Sequence, residues 1–492
     1  MPRSPSIVRA LVFLFAAVCL ARGAGAGDVD FPLRWSPDHR YLVDQGGVPF
    51  PILGRTSWNV TRLSPEDYRG YVDDTVARGY NAIEIWMPIH DPSHQPPQYA
   101  GNGAAPFLRS LDGSSWNGRT DYSDVSAQAP DLSSPNEAFW SYVDDLLSYC
   151  ESRGVLVFAF PAYVGFQGGE WGWMQEMVAN GPDRTQAFGS WIAERYRDRR
   201  NLVWMVGGDM GTGEGPKGPN LFSPEQTLVE AALIRGLKSV PDQASVLYSA
   251  EWASESIATD QTSFGHEMTL NGAYSWTGDV ATHSRRAYAR EPAMPAFLLE
   301  EPYDEEGRDG NRVNPHAVQP VRRFLWWGWL SSIGGFIAGN GYVWLFEDDH
   351  FWTWRNERWQ DHLDTPGTRD VANLNRFVRS HPWHELVPSG LGGMRELIVS
   401  GGGLPEAADY VAAAAAPDGS LLVAYVPPAH AGAIGVDMTA MRGASSAEWF
   451  DPTAGTYVEV ASGIDNSGSR EFAVPGKNRA GERDWVLVLR SE

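Results

Sequence analysis

One local grammar recurs along this chain and restricts its fold more than any other feature. A Ser-Pro-acid opening starts a helix, a glycine stops it, and an apolar run follows. In SPEDYRGYVDDTVARGYN, Ser64 stands where a helix cap is needed, Pro65 suits the first helical position, and Asp67 falls in the first turn. Tyr68, Tyr71, Val72, Thr75 and Val76 then recur at helical spacing, and Gly79 supplies the stop. AIEIWMPI, directly after, reads as a mostly buried strand. The pattern returns in SPNEAFWSYVDDLLSYCESRG, opened by Ser134, Pro135 and Glu137 and closed by Gly154, with VLVFAFP as the strand. A third opening, Ser223-Pro224-Glu225-Gln226, precedes TLVEAALIRGLKSV.

Helix, glycine and strand, repeated over roughly 300 residues, mean βα units and a parallel sheet. Strands are predicted at 50–54, 82–88, 155–161, 202–207, 245–249, 270–275, 296–300 and 336–343. Eight strands close a (β/α)8 TIM barrel, so the class is α/β. An open doubly wound sheet is the rival, but no G-x-G-x-x-G opens a helix after the first strand. GTGEG at 211–215 misses that spacing and has no Walker lysine. It reads as a loop.

With 492 residues the chain exceeds one small core, and the grammar changes after His381-Pro382-Trp383. LLVAYVP, AEWFDPTAGTYVEV and DWVLVLR are short strands between turn residues, the pattern of a small β-sandwich of about 100 residues. AADYVAAAAAPDG reads there as a small-residue strand that Pro417-Asp418-Gly419 ends in a turn. The expected layout is a signal peptide over 1–26, a barrel over 27–382 and a sandwich over 383–492. The first segment has Arg3 and Arg9, an apolar stretch from Ala10 to Leu20, and Ala24-Gly25-Ala26 as a cleavage site. A secreted or periplasmic location follows. Cys150 is then the one remaining cysteine, on the apolar side of a helix, where a buried thiol is expected.

A net charge of −22 argues against nucleic acid and anionic membranes as partners. No later apolar stretch is long enough for membrane insertion. Scattered histidines without an H-E-x-x-H give no metal site, and no cofactor is expected. No G-x-S-x-G marks a serine hydrolase. Oligomeric state stays open.

Chemistry in such barrels sits at the carboxyl ends of the strands. The acids there are Asp209 after strand four, Glu251 after strand five, and Glu300 with Glu301 at strand seven, with Glu84 inside strand two. Two carboxylates flanking a sugar suit glycoside hydrolysis, and Asp209 with Glu301 is the first choice. Any one of these acids could instead cap a helix or pair with an arginine. Twenty-one tryptophans add weight, because flat aromatic faces suit a sugar ring. Trp58, Trp86, Trp276 and Trp344 fall at or after strand ends, with Trp171 and Trp173 after strand three, whereas WWGWL at 326–330 reads as a buried helix. His266, near strand six, is a candidate substrate contact. Asn59-Val60-Thr61 is a formal glycosylation sequon that reads as fortuitous.

RYLVDQGGVPFPILGRTSW, LSPEDYRGYVDDTVARGYNAIEIW, ERYRDRRNLVWMVGGDM and LLEEPYDEE together resemble the apiosidase-like glycoside hydrolases, family 140. HPWHELVP, EWFDPTAGTY and DWVLVL are similar to the collagen-binding-like sandwich that follows the barrel in that family. The resemblance implies a retaining mechanism with an aspartate acid/base, Asp209, and a glutamate nucleophile, Glu301, with Glu300 next in line. Two segments depart from the family pattern. Gly54-Arg55-Thr56-Ser57-Trp58 stands where Gly-Asp-Thr-Ala-Trp is usual, and Tyr274-Ser275-Trp276-Thr277-Gly278 where Gln-Ser-Gly-His is. Both are expected at the pocket, with Arg55 shaping the sugar subsite. The expected activity is a secreted retaining glycosidase acting on side chains of plant or microbial polysaccharides. The alternative is a catalytically silent carbohydrate- or matrix-binding protein.

Overall fold

Ser64 caps the first barrel helix, its Oγ accepting the N–H of Asp67 at 3.1 Å. The capping box at Ser223 and Gln226 forms in both directions. The second opening works differently. Asn136, not Ser134, is the cap, accepting the N–H of Ala138 at 3.2 Å. The Ser134 hydroxyl is turned to the carbonyl of Asp131, 2.7 Å away.

A computed structural model describes residues 29–90, 98–211, 222–305, 320–346, 349–350 and 355–492. The expected signal peptide lies outside them. The barrel strands are β1 (Ile52–Thr56), β2 (Ala82–Trp86), β3 (Leu156–Phe160), β4 (Leu202–Gly207), β5 (Tyr248–Glu251), β6 (Asn271–Tyr274), β7 (Ala296–Glu300) and β8 (Ile333–Ala338). Their helices are α1 (Pro65–Ala77), α2 (Glu137–Ser152), α3 (Met174–Arg195), α4 (Pro224–Leu237), α5 (Val280–Ala289), α6 (Pro320–Ser332) and α7 (Pro366–Arg379). Each barrel strand pairs in parallel with its neighbour from β1 to β5 and from β6 through β8 back to β1. The sheet is a nearly closed barrel. Between β5 and β6 the remaining gap is bridged by the N–H of Leu270 donating to the carbonyl of Tyr248 at 2.9 Å.

No α-helix joins β5 to β6, only a single 3-10 turn at Gly265–Glu267. A two-residue strand, Ser256–Ile257, runs back antiparallel to β6 instead, and this is where the sequence grammar is weakest. The eighth strand is Ile333–Ala338, earlier than the predicted 336–343. Gly334 and Gly335 allow that placement, since a Cβ on Gly335 would lie 1.9 Å from the carbonyl oxygen of Ile52.

Inside the barrel, Ile52, Ala82, Leu156, Phe158, Val203, Met205, Phe297 and Leu299 form a packed interior, with Phe31, Leu42 and Phe50 joining it from the N-terminal hairpins. Ile83, Ile85, Val157 and Ala159, at alternate positions, face the helices. Cys150 lies buried among them, and burial pushes its thiol up to about 12.

From Val387 onward the strands are antiparallel, in one six-stranded and one three-stranded sheet. The alanine run forms the strand Ala412–Ala415, as its sequence predicts. Helix α6, which carries WWGWL, is the wall shared by barrel and sandwich. Gly328 lets it approach Leu298 of β7. On the other side Trp326 stacks on Tyr425 at 5.8 Å, and Trp327 Nε1 donates to the carbonyl of Tyr410 at 3.0 Å. A helix with both faces covered reads as apolar all round. Among the described residues no helix is long and apolar enough to cross a membrane.

Candidate active site

Strand β4 leaves the core through three consecutive residues with positive φ: Gly207 at 79°, Gly208 at 131° and Asp209 at 49°. The glycines are required. A Cβ on Gly207 would lie 2.2 Å from the carbonyl oxygen of Glu251, and one on Gly208 2.5 Å from the Tyr163 ring. The turn is pinned by its amides. Gly208 N–H donates to the Glu251 carbonyl at 2.6 Å, and the Asp209 N–H bonds the Glu251 carboxyl group. Asp209 is thereby lifted, half-buried, to the carboxyl end of the barrel, where Tyr274 donates to its Oδ1 at 2.9 Å and Tyr163 reaches Oδ2 at 3.4 Å.

Strand β7 arrives at the same place by an irregularity. Ala273 pairs with Leu298 but Tyr274 pairs with Glu300, so β7 holds one extra residue against β6. Residues paired across a ladder share a face, and Glu300 therefore turns to the side of Tyr274. Its Oε1 accepts the Tyr303 hydroxyl, which in turn accepts Trp58 Nε1 at 3.0 Å. Glu301 is fully buried and takes the N–H of Gly339 on Oε1 at 3.1 Å. Asp209 and Glu300 thus each hold a tyrosine in one aromatic shell, while Glu301 anchors the start of the segment after β8.

Glu84 and Glu251 stand beneath them. Burial, then Glu300 and Glu301, push the Glu84 carboxyl well above the usual range. Burial, then Glu300, Glu84 and Asp209, do the same to Glu251. The protonated form of each is favoured, because several carboxylates crowded in a low-dielectric interior cannot all ionise. Tyr163, Tyr274 and Tyr303 are likewise raised, by burial first and the carboxylates second, so they remain hydrogen-bond donors.

Trp58 and Trp86 stack at 5.6 Å, and Trp86 stacks on Tyr163 at 4.4 Å, forming one wall of the site. Trp276 faces Tyr303 edge-on at 5.4 Å, and Trp344 packs against the Trp58 cluster. Trp173 belongs to packing, buried with Nε1 on the carbonyl of Pro88 at 3.0 Å.

Two candidates are not brought to the site. Arg55 has the parity of Leu53 and points out of the barrel under α1, paired with Asp74 at 3.0 Å and 4.1 Å over the Tyr71 ring. His266 lies in the turn before β6, at the opposite end of the barrel, exposed and beside Glu267. The sequon asparagine, Asn59, is fully buried, which leaves no room for a glycan. Sequence reasoning missed Tyr163 and Tyr303, although both stand after strand ends, the signal that drew attention to the tryptophans. Among the described residues no group of His, Cys, Asp and Glu could hold a metal ion.

A family model described as "Apiosidase-like, catalytic domain" matches residues 36–385. The chain belongs to the apiosidase-like family. A second model, described as "Putative collagen-binding domain of a collagenase", matches residues 395–490 of this apiosidase-like chain. No curated protein matches it. Among solved structures it is similar to one titled "Glycoside hydrolase", at 18% identity and a TM-score of 0.72, covering 94% of this chain and 99% of that one. It is also similar to a glycoside hydrolase family 5 protein from Bacteroides vulgatus ATCC 8482, at 18% identity and a TM-score of 0.71, covering 94% and 93%. At these identities the likeness shows the fold: a glycoside hydrolase-like barrel followed by a sandwich.

Proposed function

We propose that this chain is a secreted or periplasmic retaining glycosidase acting on side chains of plant or microbial polysaccharides. One observation carries the reading: Asp209 and Glu300, from strands three apart, each hold a tyrosine of a single aromatic shell at the carboxyl end of the barrel. Asp209 protonates the departing glycosidic oxygen while Glu300 attacks the anomeric carbon and forms a glycosyl-enzyme. Asp209, now a base, takes a proton from water, which displaces Glu300 and releases the sugar. Trp58, Trp86, Trp276 and Trp344 supply apolar walls for the ring. Export rests on the segment 1–26, and the working units are 27–382 for catalysis and 383–492 for the sandwich.

Glu301 is the nucleophile that the family pattern favours, because it directly precedes Pro302. Kinetics of Asp209→Asn, Glu300→Gln and Glu301→Gln on a panel of aryl glycosides and pectic oligosaccharides separate the two. Loss of about 10²–10⁴-fold in kcat is expected for Asp209→Asn, with Glu300→Gln at least as damaging. Near wild-type turnover by Asp209→Asn sinks the reading, and near wild-type turnover by Glu300→Gln hands the role to Glu301. Loss of activity through the two segments that depart from the family pattern would leave a silent binder instead. With Arg55 under α1, only the Trp276 segment still supports it. Glycan binding without hydrolysis, unchanged by loss of the carboxylates, would favour that alternative.

A further inference from the structure

The end of β6 and the loop after it, Tyr274-Ser275-Trp276-Thr277, depart from the family pattern, and a single buried acid holds them. Glu255 lies on the return leg from β5, at a φ of 69°. Its Oε1 accepts the N–H of Trp276 at 2.7 Å and of Thr277 at 2.9 Å. Its Oε2 accepts the Ser275 hydroxyl at 2.9 Å and stands 3.1 Å from His283 Nε2 on α5. Its own N–H donates to the carbonyl of Tyr274 at 2.9 Å, which ties the same loop a second time. Burial would push this carboxyl up, but the bonds from His283, Trp276 and Ser275 outweigh it and hold the group below the usual range. An ionised carboxylate with four donors fixes a loop more firmly than neutral contacts would.

The held residue is in a telling place. Trp276 is half-exposed and meets Tyr303 edge-on at 5.4 Å and Tyr274 at 6.4 Å. Those tyrosines are the ones bonded to Glu300 and Asp209. An indole fixed beside both carboxylates offers an apolar wall to the C–H face of a sugar ring.

We propose that Glu255 is a positioning residue that, through Trp276, sets the sugar subsite and hence substrate affinity and selectivity, without taking part in the chemical step. The inference rests on the glycosidase reading, and the following experiment separates the two. On an aryl glycoside that the wild type hydrolyses, Glu255→Ala raises KM by about tenfold or more with kcat within about threefold, and Trp276→Ala does the same. The double variant is no worse than the worse single, since both act through one wall. Glu255→Gln, which keeps an acceptor for the two amides, recovers most of the affinity. A fall in kcat at unchanged KM, additive losses, or unaltered kinetics in Glu255→Ala overturns the inference. If Glu255→Ala does not fold, His283→Ala and Trp276→Ala carry the KM test, with Glu255→Gln as the conservative control. If the wild type hydrolyses no substrate of the panel, the glycosidase reading fails by itself. The inference is then judged by quenching of Trp276 fluorescence with methyl glycosides, Trp276→Phe serving as the blank. Quenching that weakens in Glu255→Ala, with faster amide exchange at 276 and 277, supports it; no quenching assignable to Trp276 overturns it.

Discussion

Glu230 on α4, fully buried, accepts the N–H of Gly207 on its Oε1 at 2.9 Å, two residues before Asp209. A carboxyl group carried by the outer helix layer therefore props the strained turn that carries the candidate acid. Burial pushes it up to about 7. Its folded pKa lies above its unfolded one, so its stabilising contribution is complete below about pH 4.5 and is lost as pH rises toward 7. Glu230→Gln keeps a carbonyl acceptor and removes the titration. Its melting temperature should gain on the wild type between pH 5 and pH 7.5, by an amount equivalent to about 3 kcal/mol at most. Parallel melting curves across that range would refute this.

Tyr303 ties Trp58 to Glu300. Tyr303→Phe removes a hydrogen bond to a charged group, worth about 1.5–3 kcal/mol, and should lower kcat by roughly 10–100-fold. Little change in the fold is expected, because the ring remains. Steady-state kinetics beside a melting curve checks both parts.

Arg55 is a structural residue in this fold. Its guanidinium bonds Asp74, Thr75 and the carbonyl of Tyr71. Arg55→Met should destabilise the protein by about 2 kcal/mol through lost charge-assisted bonds, and leave KM unchanged. A KM shift without a stability change would return Arg55 to the pocket.

Barrel and sandwich are locked by a buried ion pair. Arg322 on α6 places Nε 2.6 Å from Asp484 Oδ2, and Tyr425 donates to the same carboxylate at 3.0 Å. Asp484→Ala leaves the buried Arg322 with Asp370 as its remaining carboxylate partner and should cost about 3 kcal/mol. Chemical denaturation measures it. Replacing Arg322, Asp370 and Asp484 together by apolar residues should recover much of the loss.

Cys150 should be inert to thiol reagents in the folded protein and react in a single step on unfolding. Burial both shields it and raises its thiol to about 12. Fast labelling of the native protein would contradict its placement.

Much of this could be read from the chain. Caps, stops and apolar runs are local, and they marked out the barrel strands and the helices opened by Ser-Pro. The pattern thinned at the β5–β6 step, where an antiparallel strand replaces the helix, and the eighth strand began three residues before its predicted start. Strand parity was also legible: Arg55 shares its face with Leu53, two residues away, and alternation alone could have placed it outside. Which of Glu300 and Glu301 faces the tyrosine shell was not legible. It turns on an extra residue in β7 that exists only relative to its pairing with β6.

The sequence by itself determined the barrel, the sandwich and the strand ends at which acids gather, because propensity and burial pattern act over a few neighbouring residues. Tertiary structure alone decided which acids share a tyrosine shell, that Glu230 props Asp209 from behind, and that Glu255 grips the Trp276 loop. Apart from the Glu300–Tyr303 bond, those relations join residues 20 to 245 positions apart, and their geometry is set by register, backbone sign and burial, none of which a linear pattern carries.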